Sequence, residues 1–565
     1  MNIKTLFVSL AAGLIAFSSC NDDFLEMKPS DFVSDANFWD NEENLISVCN
    51  TMTASLVGKD WINRTEIMAD TAPWAEKTAY RNIGGGNYDS MDGKIDGLWR
   101  KLYTNIGRVN YFLDNYQRTV NVPEEIRERY AAEAYFYKAF NYLLLTSYFG
   151  DVPYIEHSLT TTSPELYKGR DPKNDIIKRI TDDLEARYKY LPTYIPAASP
   201  QFGRVTQGAA LCLLSRIYLY NEMWDKAVDA CERAMALPYY GLYSTGKPEE
   251  DYVNLFNYKG RASRNPANHE TYLAFIYNYD LGASARTSHN LSRECWVPDG
   301  YARFIPTMAI VSAYLTSDGQ IWRPKDCETY EDVFKNRDPR MCQSILAPGT
   351  KWAGGECVDK LNDNKEIFTY PLLKTTGKTS ETRSGFYMRK YVEPSIVRYV
   401  GHDDNDIVLF RYAEVLLNYA EAKEMMGVLS QADLDKSINK LRDRVGMVHL
   451  ELGNLPTGSD IRTEIRRERD VELFFEGHRF FDLRRWKRGD VFAEDLIGIN
   501  RKWIDETRFI EPFALENSKW VNKDGEKYLL IESGRTFDPS KHYLFPIPVA
   551  QRALNSNLTQ NPGWD

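Results

Sequence analysis

Apolar residues between Gln207 and Pro238 recur at the spacing of an α-helix, in two adjoining segments that meet near Trp224. Small side chains stand among the apolar ones, which would let two paired helices approach closely. The segment ends at a proline, which cannot continue a helix. The pattern therefore predicts a pair of packed helices, with facing positions Leu211, Leu214, Ser215, Tyr218, Ala227 and Ala234.

A second helix pair is predicted between Phe410 and Val445, with its second helix beginning after Ser430. Paired helices of this kind are typical of tetratricopeptide (TPR) units, which stack into a rigid array. We therefore expect an all-α fold with a TPR-like helical scaffold. Further helices are predicted over Leu98–Tyr116, Glu124–Phe149 and Asp171–Tyr188.

Helical periodicity fails between residues 241 and 404, where glycine, proline, asparagine and aromatic residues dominate. This composition is typical of long loops with short strands. We expect residues 20–240 and 405–565 to form the two helical parts of one structural unit. Residues 241–404 would be an irregular, loop-rich insertion, and an insertion of this length in a rigid scaffold usually presents a binding surface.

The N-terminus changes abruptly in polarity at Cys20. Lys4 precedes an apolar stretch, Leu6–Phe17, which is too short to span a bilayer and is followed by two serines. A cysteine at this place is typical of a bacterial lipoprotein signal, whose new N-terminal thiol is acylated; an ordinary signal with an incidental cysteine is the alternative. We expect residues 1–19 to be a signal peptide and Cys20 to carry the lipid. No comparably long apolar run follows, so no transmembrane helix is predicted.

Charge and cysteine content argue against several classes of function. The formal net charge is −10 and basic residues are mixed with acidic ones, whereas nucleic-acid binding needs a concentrated basic face. The cysteines form no CxxC pair, and the seven histidines are scattered. We therefore expect no nucleic-acid partner, no metal and no cofactor. Buried free thiols are favoured over a disulfide within residues 290–360.

Two glutamates, Glu468 and Glu472, share the apolar stripe of a helix predicted within Ile461–Arg488 with Ile461, Ile465 and Phe475. Buried carboxylates are costly unless they are paired, which favours ion pairs. The alternative is a catalytic pair for glycoside hydrolysis. Two side chains one helical turn apart, about 6 Å, project from the same face and do not easily flank a sugar bond. The expected ion-pair partners are Arg466, Arg469 and Arg479.

Five segments resemble the SusD family, the surface glycan-binding lipoproteins that pair with a TonB-dependent outer-membrane transporter. Their order and spacing span nearly the whole mature chain. The acidic start CNDDFLE, Cys20–Glu26, is also similar to family members. The five segments are Glu133–Tyr154 (EAYFYKAFNYLLLTSYFGDVPY), the repeat unit Leu211–Ala234, Phe410–Ala422 (FRYAEVLLNYAEA), Ile461–Arg488 and His542–Asp565 (HYLFPIPVAQRALNSNLTQNPGWD).

The resemblance implies a binding protein and not an enzyme. It implies a helical platform that docks onto a SusC-like TonB-dependent transporter, with loops that present a shallow site for an oligosaccharide ligand. It also implies an outer-membrane location, lipid-anchored and facing the outside of the cell. Two other hypotheses remain: a surface glycoside hydrolase, and an adhesin or assembly scaffold without affinity for glycans.

A sugar site needs flat, exposed rings and hydrogen-bonding side chains, because sugars present weakly apolar C–H faces and a rim of hydroxyls. Two loop regions supply both kinds of group, and the resemblance implies binding loops at corresponding places. No catalytic residue is proposed. The candidate contacts are Asp70, Trp74 and Arg81 within residues 60–81, and Asn290, Trp296, Tyr301 and Trp322 within residues 290–322.

Overall fold

The structure, a computed structural model, describes residues 38–53, 58–282, 302–351, 359–364, 366–373, 381–396, 399, 401–509 and 518–564. The described chain is mainly helical, with two small antiparallel sheets. The expected all-α, TPR-like scaffold is thus confirmed, and the sheets are minor additions to it. The predicted signal peptide and lipidation site Cys20, and the candidates Asn290, Trp296 and Tyr301, lie outside the described residues.

Helices lie on both sides of the irregular insertion and also within it. The helices before the irregular insertion are α1 (Glu42–Thr53), α2 (Gly58–Met68), α3 (Ala79–Gly84), α4 (Gly93–Asn115), α5 (Glu124–Phe149), α6 (Lys173–Arg187), α7 (Gln207–Tyr220) and α8 (Trp224–Met235). Those after residue 240 are α9 (Asp251–Asn254), α10 (Met308–Ala313), α11 (Pro339–Ser344), α12 (Tyr412–Met425), α13 (Gln431–Asp435), α14 (Ile438–Val445), α15 (Ile461–Glu472), α16 (Arg479–Arg485), α17 (Gly489–Ala493) and α18 (Val549–Leu554).

The two sheets lie in the second half of the chain. Strands β1 (Thr271–Phe275) and β2 (Ile407–Arg411) pair antiparallel and join the two ends of the irregular insertion. Strands β3 (Leu496–Asn500), β4 (Trp520–Lys523) and β5 (Glu526–Glu532) form an antiparallel sheet in the order β3-β5-β4. This second sheet falls within residues 405–565, for which the sequence pattern indicated helices.

The first predicted helix pair is present as α7 and α8, which pack against each other, and α8 also packs against α12. Small residues permit this approach, since Ser215, Ala227 and Ala234 are fully buried. The Ser215 hydroxyl also accepts a hydrogen bond of 3.0 Å from the Asn418 side chain of α12. The second predicted pair is α12 with α13 and α14, so both TPR-like units are confirmed.

The long helix α5 begins and ends at the residues that the sequence predicted. It is buried on all sides over most of its length, which makes it part of the core and not an amphipathic surface helix. Gly150 ends it with φ of 73°. Helices α4 and α6 correspond to the other two predicted helices, within a few residues at each end.

Ile461–Arg488 forms two helices and not one. Helix α15 ends at Glu472, and Phe475 and Gly477 then adopt left-handed φ values of 60° and 84° before α16 begins. The expectation that Phe475 shares the α15 stripe is therefore wrong. The turn directs Phe475 into the core, where it is 1% exposed.

Other expectations concern thiols, metals and membrane spans. Every cysteine within the described ranges is a free thiol: Cys49, Cys212, Cys231, Cys327 and Cys342. No group of three or more potential metal ligands occurs among the residues that the structure describes. The helices of the described chain are too short or too polar to cross a bilayer.

A cluster of ten buried charged side chains ties α15 to the insertion. Glu472 accepts hydrogen bonds from Arg340 (3.0 Å), Arg411 (2.8 Å) and Arg444 (2.7 Å). Five carboxylates face five cations, so the formal charges balance. The members of this buried ion cluster are Glu270, Asp338, Glu468, Glu472, Glu476, Arg340, Lys390, Arg411, Arg442 and Arg444.

The prediction that Glu468 and Glu472 form ion pairs is confirmed, but the predicted partners are wrong. Their cations come from elsewhere in the chain, because the three arginines of the same segment point to other groups. Arg469 pairs with Asp482 and Arg479 with Asp70 and Asp470, while Arg466 lies over the ring of Trp486.

Electrostatics explains why Glu472 stays ionised inside the protein. Burial works to raise the pKa of Glu472, but the guanidinium groups of Arg444, Arg411 and Arg340 outweigh it and hold the pKa well below its usual range. The carboxylate is fully buried and the arginines are 1% exposed. Removing one partner would leave an uncompensated buried charge.

We therefore expect Glu472→Gln to lower the free energy of unfolding by about 3–5 kcal/mol, the usual cost of breaking a buried ion pair from one side. Urea unfolding followed by circular dichroism measures this. The matched control is Asp182→Asn, which breaks the solvent-exposed pair with Lys178 and should cost less than about 1 kcal/mol. Equal losses in the two variants would contradict a structural role for the cluster.

Candidate functional site

Backbone pairing brings the two predicted sugar-binding regions together. The amide of Ala75 donates to the carbonyl of Arg303 (2.6 Å), that of Ile305 to Pro73 (3.1 Å), and that of Thr307 to Thr71 (2.9 Å). These bonds join residues 71–75 to residues 303–307 as a short antiparallel ladder, centred on a bridge between residues 74 and 304. Backbone hydrogen bonds therefore join two regions that lie more than 200 residues apart in sequence.

Trp74 lies on this ladder and is half-buried. Its ring meets the Phe304 ring edge-on, with centroids 5.0 Å apart and planes at 84°. The Arg303 guanidinium carbon lies 5.2 Å from the Trp74 ring centroid, within the range of a cation–π contact. Phe304 in turn packs on Phe475 at 4.9 Å. The indole is thus held in place by the core while part of its surface stays accessible.

Arg81 is enclosed beneath this ladder and is 2% exposed. Its guanidinium donates to the Glu532 carboxylate (2.8 Å) and to the backbone carbonyls of Trp74 and Ala75 (2.9 Å each). A further hydrogen bond reaches the carbonyl of Ile531 (3.2 Å). Arg81 therefore positions the backbone that carries Trp74, and its own donors do not face solvent.

Asp70 and Trp322, from the two predicted regions, line one cavity of about 310 Å³. Both side chains are largely enclosed, with exposed fractions of 4% and 7%. The Asp70 carboxylate accepts two hydrogen bonds from Arg479, of 2.9 and 3.0 Å. Burial works to raise the pKa of Asp70, but the Arg479 guanidinium more than offsets it and keeps the pKa below its usual value.

The rest of this cavity mixes apolar and polar residues, and its carboxylates outnumber its one lysine, Lys523. Trp322 covers one wall, with the Arg337 guanidinium carbon 4.0 Å from its ring centroid. Hydroxyl and carboxylate groups face the same space, in an arrangement of apolar wall and polar rim that suits a sugar hydroxyl cluster. These lining residues include Thr307, Ser312, Glu494, Asp495, Asp524 and Tyr528.

A second group of surface rings, the aromatic shelf, consists of Tyr279, Tyr399 and His402. The Tyr279 and His402 rings stack with centroids 4.3 Å apart and planes at 20°, and Tyr399 lies 5.8 Å from His402. Tyr399 is 59% exposed and His402 is also exposed. The sequence analysis missed all three residues.

Asp404 holds the aromatic shelf to the scaffold. It accepts hydrogen bonds from the Tyr279 amide (3.3 Å), from Arg261 (2.8 Å) and from the half-exposed Arg264 (3.1 Å). Burial works to raise the pKa of Asp404, but Arg261 outweighs it and lowers the pKa below the usual value. The shelf is therefore mounted on a fixed ion pair, with a guanidinium at its border.

Two partly exposed aromatic surfaces thus border the same stretch of chain. The shelf residue Tyr279 lies just before residues 283–301, and the Trp74 ladder begins just after them at Arg303. Asn290, Trp296 and Tyr301 fall within that stretch, so their contacts stay a prediction. A tyrosine, a glycine and a histidine within the four residues Tyr399–His402 were the local signal available for the shelf. Nothing in that segment indicates the stacking with Tyr279.

Glu66 connects α2 to the turn between α15 and α16. Its carboxylate accepts a hydrogen bond of 2.9 Å from the Gly477 amide and one of 3.4 Å from the Thr71 hydroxyl. The side chain is 1% exposed, and burial raises its pKa to about 7 despite the Gly477 hydrogen bond. Glu66 therefore helps to fix the start of the Trp74 ladder.

Family profiles and individual related proteins point to the same family. A profile of the SusD family matches residues 265–564, and a profile described as starch-binding and associating with the outer membrane matches residues 23–219. SusD-like protein P2 of Formosa agariphila is 23% identical over 588 aligned residues, which covers 99% of each chain. The starch-binding protein SusD of Bacteroides thetaiotaomicron is 23% identical over 89% of this chain and 85% of its own.

Solved structures show the same fold. A SusD-like carbohydrate binding protein from Bacteroides fragilis superposes with a TM-score of 0.77 at 24% identity, covering 92% of this chain and 100% of its own. Surface glycan-binding protein A from Bacteroides uniformis superposes with a TM-score of 0.63 at 19% identity, covering 92% and 99%.

The raised pKa of Glu66 gives a pH dependence with a definite sign. Below about pH 4.5, the usual pKa of a glutamate, the Glu66 carboxyl is protonated in both the folded and the unfolded state. It then adds nothing to the pH dependence of stability. As the pH rises from there through 7, the unfolded state ionises first and the folded state loses stability. We expect the stability of Glu66→Gln relative to the wild type to rise between pH 5 and pH 8, by at most about 3 kcal/mol. Thermal unfolding at several pH values measures this; a constant difference would contradict it.

Proposed function

The chain belongs to the SusD family, and on that premise we propose that it is a cell-surface lipoprotein that binds oligosaccharides without cleaving them. It would deliver them to a SusC-like TonB-dependent transporter in the outer membrane. The observation that carries the sugar-binding part is the pair of partly exposed aromatic surfaces, Trp74 with Arg303 and the aromatic shelf, at either end of residues 283–301. Flat rings beside charged hydrogen-bond donors suit the faces and the hydroxyls of a sugar.

Family names support the ligand class. The related proteins are a starch-binding protein, a carbohydrate-binding protein and a glycan-binding protein. We assign Trp74 and the shelf to direct contact, Arg81 to positioning, and the cavity of Asp70 and Trp322 to a deeper subsite. Asn290, Trp296 and Tyr301 complete the proposed set.

The state of the carboxylates favours binding over hydrolysis. Glu468 and Glu472, the pair considered for glycoside hydrolysis, are saturated by arginines in the buried ion cluster. Asp70 is bound on both oxygens by Arg479. A general acid or nucleophile must reach the sugar bond, which these three groups do not.

The membrane part of the proposal rests on Cys20 and on the family. Lipid on Cys20 would hold the protein at the membrane, and firm attachment needs two or more acyl chains. The profile matched by residues 23–219 is described as associating with the outer membrane. Family membership supports the proposed transfer to the transporter.

Replacing Trp74 by alanine tests the sugar-binding surface. We expect retardation in native gels that contain the polysaccharide bound by the wild type, starch being the first to try, to weaken by about tenfold or more, because buried aromatic anchors dominate such contacts. The matched control is Trp224→Ala, which removes another half-buried indole from the TPR-like unit. It should leave retardation unchanged.

Three outcomes of this experiment separate the hypotheses. Retardation without new reducing ends supports binding; reducing ends that appear with the pure protein would show a hydrolase. A panel of polysaccharides that never retards the wild type would favour an adhesin or scaffold. Equal effects of the two tryptophan substitutions would remove the Trp74 surface from the proposal.

The aromatic shelf makes a separate prediction. We expect Tyr399→Ala to weaken the same binding by about two- to tenfold, the range for one ring contact of about 0.5–1.5 kcal/mol. Tyr167→Ala is the matched control, because Tyr167 is 61% exposed and lies outside the proposed surface. An affinity equal to that of the wild type in Tyr399→Ala would exclude the shelf from the site.

A further inference from the structure

A separate cavity of about 620 Å³ lies between the C-terminal ends of α5, α7 and α16, the start of α6, and residues 539–562. It shares no lining residue with the Trp74 ladder, the aromatic shelf or the cavity of Asp70 and Trp322. Six cationic residues line it against two acidic ones, Asp151 and Glu222. The cationic residues are Arg170, Lys173, Arg484, Arg485, Lys487 and Lys541.

Arg484 carries a buried charge that no carboxylate of the described chain neutralises. It is 6% exposed and lies between the rings of Phe480 and Phe545, with its guanidinium carbon 4.9 and 4.8 Å from their centroids. Two of its nitrogens donate to the carbonyl of Tyr543, while Nη1 is buried without a hydrogen-bond partner. A buried cation in this state is costly unless an anion comes close.

Two ammonium groups at the cavity are also available. Neither Lys173 nor Lys487 forms an ion pair with any residue that the structure describes; the Lys487 ammonium lies 4.3 Å from the centroid of the Tyr543 ring, which also lines the cavity. Burial and the nearby charge of Lys487 lower the pKa of Lys173, whereas Glu222 and Asp151 oppose this only in part. Both ammonium groups line the same cavity, so an anion bound between them would offset their mutual repulsion.

The remaining cations are already engaged. Arg485 is bound to Glu421 and Asp482, and the Lys541 ammonium lies 4.8 Å from the centroid of the Trp564 ring. Arg170 donates to backbone carbonyls, including that of Phe149 at the end of α5. This engagement offsets the negative end of that helix dipole, while Lys173 stands at the positive end of α6. Six cations against two carboxylates leave the formal charge of the lining positive, and this excess outweighs the partial negative charges at the C-terminal ends of α5, α7 and α16.

We propose that this cavity binds an oxyanion, a phosphate or sulfate group, between the ammonium groups of Lys173 and Lys487, with Arg484 beneath it. Charge-assisted hydrogen bonds from ammonium groups are strong contacts for such oxygens. A lone ion would fill only a small part of the volume, so the group arrives as an ester on a larger molecule or with water. The ester could be soluble or a lipid headgroup.

Thermal unfolding of the full chain in a few millimolar sulfate or phosphate tests the site, against sodium chloride of equal ionic strength. The variant is Lys173→Gln with Lys487→Gln, and the control is Lys178→Gln, an exposed lysine of the same helix α6. A ligand that binds only the folded state stabilises it by RT ln(1 + [L]/Kd), so the melting temperature rises with ligand concentration and the size of the rise reports the affinity. We expect a rise in the wild type and the control, and at least a fivefold weaker apparent affinity in the double variant. The variant comparison also removes the general salting-out effect of these ions.

Two further probes identify the carrier. Glucose 6-phosphate that acts at lower concentration than inorganic phosphate, with glucose inactive, would assign a soluble ester. Cosedimentation with phosphatidylglycerol vesicles that the double substitution abolishes would assign a lipid headgroup. Equal melting temperatures in phosphate, sulfate and chloride would overturn the proposal, and so would an unchanged response of the double variant. Neither result bears on glycan binding at Trp74.

Discussion

The buried ion cluster is the constraint on which the arrangement of this protein depends. Its cations come from the insertion, from the end of β2 and from α14, and two of its five carboxylates, Glu468 and Glu472, come from α15. Buried charges are tolerated only when each is paired, so this set of partners permits few alternative packings. From the cluster, Glu476 leads to Phe475, which packs on Phe304, and Phe304 holds Trp74. The position of the surface ring thus follows from charges in the core.

The local sequence pattern was sufficient to predict the helices, but not the ion pairs between residues that are far apart in sequence. The bounds of α5 and the packing of α7 with α8 follow from periodicity, proline and small residues, all of which are read within one segment. The partners of Glu472 are not local, since Arg340 and Arg411 lie 132 and 61 residues away. Arg81 was chosen as a sugar contact by residue type, whereas its partner Glu532 is 451 residues distant.

The same reasoning explains the candidate site. The sequence predicts that residues 60–81 and 290–322 both contribute to sugar binding. The ladder between residues 71–75 and 303–307 brings the two regions together. The aromatic shelf was missed because stacking of Tyr279 on His402 joins residues 123 apart. Glu468 and Glu472, the pair considered for hydrolysis, are instead bound to arginines, which agrees with the proposed binding role.

Amide hydrogen exchange, measured with and without a bound oligosaccharide, tests this account most directly. It reports both the rigidity of the backbone and the location of the ligand. The account predicts slow exchange of the Ala75, Ile305 and Thr307 amides before ligand is added. It also predicts that ligand adds protection within residues 70–81, 275–282 and 302–307, while α7 and α8 do not change. Rapid exchange of the three amides in the free protein, or protection confined to α7 and α8, would contradict it.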